Sequence, residues 1–193
     1  VMPQPVSLMA KAVFEHMKSK GVKTIGYIGF SDSWGDLWVG EFKKIGAPMG
    51  LTMVAEERYA RADTSVAGQV LKVIAAKPDA VLVGASGTGA ALPQIGLRER
   101  GFTGTIYHTH GAVTKDFIRI SGKSAENAVL PSGPLVVAEQ LPPSPQQAVA
   151  VAHLKAYEAK FGAGTITQFS GHATDVGEIL KRVVPIALKT AKP

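Results

Sequence analysis

Five short apolar runs alternate with helix-patterned segments, and no hairpin turn signal joins any two of them. The runs fall at 24–30, 51–55, 80–84, 105–108 and from 128 onward. Parallel strands require a long crossover, and a helix is the economical one. Right-handed crossovers then wind helices onto both faces of one sheet. The expected fold class is therefore α/β, a doubly wound and mostly parallel five-stranded sheet of Rossmann-like or flavodoxin-like form.

The helical segments carry their own signals. Val6, Met9, Ala10, Val13, Phe14 and Met17 recur at helical spacing, so one face of the first helix is apolar until Gly21 ends it. Residues 31–36 read as a turn rich in capping side chains, followed by a helix over about 37–45. Asp63 or Thr64 is expected to cap a helix over 66–76. Further helices are expected at 90–100 and 114–120. Pro131, Pro134, Pro142, Pro143 and Pro145 then break the rhythm and suggest an extended crossing segment. Two helices follow, over 145–161 and 174–189, with no strand between them. Such a change of pattern marks a domain edge.

Composition narrows the function classes. Hydrophobic residues make up 46% of the 193, enough to bury a core. No apolar run approaches the roughly 18–20 residues that span a bilayer. The net charge of +6 comes from lysines and arginines scattered along helices, not interleaved with aromatics. A solvated basic surface is expected, and no nucleic-acid partner. Cysteine is absent, which removes disulfides, thiol nucleophiles and thiolate metal sites. The sequence opens on a helix with no strand or leader pattern before it, as expected of a chain cut from a longer one.

Candidate chemistry gathers at the carboxyl ends of the expected strands, where open α/β sheets bind ligands. Gly84, Gly87 and Gly89 lie between a strand and a helix, as in a dinucleotide loop. They are equally the glycines of a tight strand-to-helix turn or a small-ligand contact. No acidic residue follows the next strand to hold a ribose. His108 and His110 end the fourth strand and could share a face, yet two histidines do not make a zinc site without a third ligand. Trp34, on the loop after the first strand, offers a stacking surface, whereas Trp38 reads as core. No Gly-x-Ser-x-Gly elbow or Ser-His-Asp order is present. Catalytic residues, a metal and a cofactor are therefore not expected.

Several stretches resemble a known family. Residues 20–28 (Lys-Gly-Val-Lys-Thr-Ile-Gly-Tyr-Ile) with Asp32-Ser33-Trp34-Gly35-Asp36 are similar to the second-lobe entry of type I periplasmic substrate-binding proteins of ABC transporters, the leucine/isoleucine/valine-binding group. Asp63-Thr64-Ser65, Pro78-Asp79-Ala80-Val81 and Tyr157-Glu158-Ala159-Lys160-Phe161-Gly162 match in order; Ala173-Thr174-Asp175-Val176 matches loosely. The resemblance implies a helix at 1–20 entering the second lobe, that lobe at 21–130, a hinge or crossing at 131–145, and helices of an otherwise missing first lobe at 146–193.

The resemblance also implies a function. Such a protein is not an enzyme; it closes two lobes on a small solute and delivers it to an ABC permease in the membrane. Its place would be the periplasm, or the cell exterior with a membrane anchor. The ligand contacts carried over are Trp34, Ser86, Gly87 and His110. His110 stands where the family has an acidic residue for the ligand ammonium, so organic carboxylates, aromatic or aliphatic, are expected alongside branched-chain amino acids. A nucleotide-dependent oxidoreductase using 84–89 and a ligand-sensing domain of a receptor or regulator are the alternatives. Val176, Ile179, Leu180, Val183, Val184 and Leu188 share the last helix, and a chain cut in this way is expected to self-associate through them.

Overall fold

The computed structural model describes residues 4–190. It divides into two compact units: residues 5–131, and Gln4 with the stretch from Ser132 onward.

The larger unit alternates strand and helix throughout. Its order is α1 (Val6–Ser19), β1 (Thr24–Phe30), α2 (Ser33–Glu41), β2 (Thr52–Tyr59), α3 (Ala67–Ala75), β3 (Ala80–Gly84), α4 (Ala91–Glu99), β4 (Thr105–His108), α5 (Lys115–Ser121) and β5 (Ala128–Val129). All pairings are parallel, in the order β2-β1-β3-β4-β5. The chain reverses direction across the sheet between β1 and β3, and a crevice at the strand ends forms at such a switch point.

Period-two alternation divides the core. Ile25 and Tyr27 of β1 and Ala80 and Leu82 of β3 pack on one face with Phe14, Met17 and Trp38. Ile28 and Phe30 of β1 and Val81 and Val83 of β3 pack on the other with Val70, Val73, Leu97 and Phe117. Every residue of β3 is buried, as a central parallel strand requires. Each such Leu, Ile or Val contributes roughly 1.5–3 kcal/mol by leaving water. Asp79 ties the start of β3 to β1: its Oδ2 accepts from the amides of Lys23 and Thr24 at 2.9 and 2.8 Å. Those backbone bonds hold its carboxyl below the ordinary carboxylate range.

Several boundaries differ from the sequence reading. The second helix begins at Ser33, not near 37, because the Asp32 carboxylate accepts from the amides of Trp34 and Gly35 and caps it there. Trp34 therefore lies in the first turn of a helix rather than on a free loop. A π-helical turn, Phe42–Gly46, follows α2. Neither Asp63 nor Thr64 caps α3. The Asp63 carboxylate instead accepts from Ala60 N at 2.8 Å in the turn before it. Strand β2 runs on through Glu56, Glu57 and Arg58, because an edge strand exposes one flank to water and tolerates charge.

In the smaller unit, Pro134–Gln140 forms a 3-10 helix kinked at Val137, so the proline-rich stretch is not extended throughout. Pro134 suits a first helical position, where no amide is needed. Helix α6 (Pro145–Phe161) is capped by Ser144, whose Oγ accepts from Gln147 N at 3.1 Å, and Gly162 ends it at φ +98°. Helix α7 spans Gln168–Thr190, starting earlier than expected. Val176, Ile179, Leu180, Val183, Val184 and Leu188 are all exposed on it.

Candidate functional site

Four strand ends of the larger unit bring side chains to one edge of the sheet. Strand β1 leads to Asp32 and Trp34, β2 to Arg61, β3 to Ser86 and Gly87, and β4 to Thr109, His110 and Gly111. The Trp34 and His110 rings meet edge-on, with centroids 5.2 Å apart at 62°. Trp38, fully buried beneath, stands 6.1 Å from the same imidazole. Gly111 closes the cluster. A Cβ built on it would lie 2.7 Å from Ser86 Cβ and 3.2 Å from Trp34 Cζ2. The Thr109 hydroxyl donates to the Ala85 carbonyl and pins the end of β4 to that of β3.

Trp34, Ser86 and His110, singled out in the sequence, are thus within one contact network. Gly87 adjoins Ser86 at φ +54°, with open space where a side chain would be. There the glycine supplies a backbone turn that other residues adopt only with strain. The Trp34 Nε1–H is buried and has no hydrogen-bond partner among the described residues. An unpaired buried donor is costly, and an acceptor on a ligand would satisfy it.

Arg61 is the residue the sequence reading missed. Its Nε donates to Asp32 Oδ2 at 2.6 Å and its Nη1 to Ser86 Oγ at 3.3 Å. Its guanidinium lies 4.2 Å above the buried Phe30 ring. Partial burial alone would raise the Asp32 pKa. The bonds from Arg61, Gly35 and Trp34 and the Arg61 charge outweigh it, and the carboxyl is held below its ordinary value. The available signal was the position of Arg61 just beyond β2, at the same carboxyl edge. Ending β2 at 55 hid it.

His108 and His110 do not share a face. His108 is fully buried, with Nε2 2.7 Å from Gln94 Oε1 and its ring 4.6 Å from that of Phe117. Burial lowers its pKa to about 3, so it is neutral. His110 instead opens a 3-10 turn beyond the strand and joins the tryptophans. Among the described residues no group of three His, Asp or Glu side chains is placed to hold a metal.

The glycine loop is built for packing. A Cβ on Gly84 would stand 1.8 Å from the Tyr27 hydroxyl, and one on Gly89 2.7 Å from the Phe30 ring. The loop continues into a 3-10 turn, Gly87–Ala90, rather than directly into an α-helix. Gly84 and Gly89 are thus required by packing, whereas Gly87 faces open space.

The family model for periplasmic binding proteins matches residues 2–191. The chain belongs to the periplasmic binding protein family. An extracellular ligand-binding receptor from Rhodopseudomonas palustris is 57% identical, with a TM-score of 0.94 over 100% of this chain and 54% of its own. A second such receptor from that organism is 42% identical, with a TM-score of 0.87 over 97% of this chain and 52% of its own. A leucine binding protein from Thermotoga maritima shares the fold: TM-score 0.69 at 20% identity, covering 81% of this chain and 43% of its own. No curated protein matches the chain. The chain of this periplasmic binding protein spans about half the length of the solved structures it resembles.

Proposed function

We propose that this chain forms part of a two-lobed solute receptor that binds a small amino acid or organic carboxylate and delivers it to an ABC permease. The observation that carries the reading is the convergence of Trp34, Ser86 and His110 at the carboxyl ends of neighbouring parallel strands. Open sheets bind ligands at that edge. An exposed cation, an aromatic ring and an unpaired indole N–H suit a small polar solute with an anionic end. Residues 21–130 act as the second lobe, with 1–20 leading into it, 131–145 as its hinge, and 146–193 as helices of the first lobe. Receptors of this kind work outside the cytoplasm, in the periplasm or anchored at the cell surface. Binding favours the closed form, and that form is what the permease reads.

The two R. palustris relatives are ligand-binding receptors by name, in keeping with binding rather than turnover. A thermal-shift panel on the full-length protein tests the reading. Amino acids and small carboxylates are expected to raise Tm, and NAD(P) is expected to leave it unchanged. A rise with NAD(P) alone would transfer the reading to a nucleotide-dependent oxidoreductase.

A further inference from the structure

Charge at the strand ends discriminates between the two solute classes just named. Arg58 and Arg61 both lie at this edge, but they are engaged differently. Arg58 is consumed by the protein: it donates to Phe30 O at 2.9 Å and pairs with Glu56 at 2.9 Å and Asp36 at 3.3 Å. Arg61 has one carboxylate partner, Asp32, and a bond to Ser86. Its Nη2 has no partner among the described residues, and its side chain is 55% exposed. The Phe30 ring and the Asp32 carboxylate hold the guanidinium in place, as a pre-organised oxyanion anchor requires.

The acceptors are engaged in turn. Asp32 Oδ1 accepts from the start of α2 and Oδ2 from Arg61. The turn beyond β4, residues 109–113, carries His110 and no acidic side chain. An ammonium brings three donors and needs acceptors, of which a free carboxylate is the strongest. The edge instead offers donors: the Arg61 Nη2 and the buried Trp34 Nε1–H.

We infer that Arg61 anchors the ligand, and that the site takes a small organic acid presenting an oxyanion and no α-ammonium to this unit. The inference rests on the solute-receptor reading and sharpens it. Gly111 takes part by omission, since a side chain there would fill the space between Ser86 and Trp34.

Matched pairs test it: 3-phenylpropanoate against phenylalanine, and 4-methylpentanoate against leucine, each titrated by calorimetry into the full-length protein. The members of each pair differ only in the α-ammonium. The acid is expected to bind about tenfold or more tighter than its amino acid in at least one pair. In Arg61→Gln both members of a pair lose the carboxylate anchor, so the acid should bind at least about tenfold more weakly than it binds the parent, and the ratio should fall because Asp32 is released toward an ammonium. Arg61→Lys should retain an intermediate affinity for the acids. Calorimetry fits stoichiometry apart from affinity, so partial loss of folded protein lowers the former and leaves the latter readable. Tighter binding of the amino acids by the parent would overturn the inference while leaving the receptor reading intact. Parent-like affinity for the acids in Arg61→Gln would also overturn it. Binding of none of the four, with a response to NAD(P) alone, would remove both.

Discussion

The indole of Trp34 lies edge-on to the imidazole of His110, ring centroids 5.2 Å apart, although one residue follows β1 and the other follows β4. The contact spans β3, and Ser86, just past the end of that strand, meets the same cluster at Gly111. One prediction concerns that gap. Gly111→Ala places a methyl 2.7 Å from Ser86 Cβ, so either the loop shifts or the space closes. Ligand affinity should fall by about tenfold, roughly 1.4 kcal/mol. Calorimetry on the variant checks this, and an affinity equal to the parent's would show that no ligand uses the gap.

Gly84→Ala should act on stability. Its Cβ would overlap the Tyr27 hydroxyl, which donates to Gly35 O at 2.9 Å within the core. Displacing Tyr27 strains a packed interior and breaks a buried hydrogen bond, a cost of about 2–4 kcal/mol. Urea unfolding should show the midpoint falling with little change in slope. An unaltered midpoint would mean that Tyr27 has room to move.

His108 sets a pH dependence. Its folded-state pKa is depressed to about 3, below the ordinary 6.5. Between those values the unfolded chain binds a proton that the folded one does not, so stability rises with pH across that window. Its contribution is complete above about pH 6.5 and is lost as pH falls toward 3, by an amount on the order of a few kcal/mol. His108→Gln removes the titrating group. Stability measured from pH 7 to pH 4 should fall less steeply in the variant than in the parent. Parallel curves would show that His108 is protonated in the folded protein.

The sheet was legible because β3 is a short, β-branched apolar run that follows Pro78-Asp79 and ends on Gly84, as a buried strand does. β2 was legible only at its start. Its later residues are charged, and nothing local reveals that an edge strand continues through them. Arg61 was lost with that strand end. Trp34 and Ser86 could be placed at the ligand edge because each closely follows an apolar run. The role of Gly111 is tertiary and leaves no mark in spacing. The prolines near 134 suggest extended chain, although Pro at a first helical position starts a turn as readily as it prevents one.

Helix α7 carries a prediction about association. Ile179, Leu180, Val183 and Val184 are about half exposed, at 43–53%, and recur at helical spacing. Monomers seldom leave such a stripe in water. The 193-residue polypeptide expressed alone should self-associate at tens of micromolar, roughly where weak interfaces populate. Sedimentation velocity reads this directly, and Leu180→Glu with Val183→Glu should restore the monomer. A monomeric parent at that concentration would contradict it.

The central claim is that a small solute is held at the strand ends, against Trp34. It is tested most directly by titrating one small organic acid into the full-length protein and into its Trp34→Ala and Trp38→Ala variants, with melting curves recorded alongside. Trp38 is fully buried, and its loss should cost about 3–5 kcal/mol of stability. Trp34 is half-buried at the ligand edge. Trp34→Ala should weaken binding at least about tenfold while Tm moves far less than in Trp38→Ala. Parent-like affinity in Trp34→Ala would place the solute elsewhere and contradict the claim.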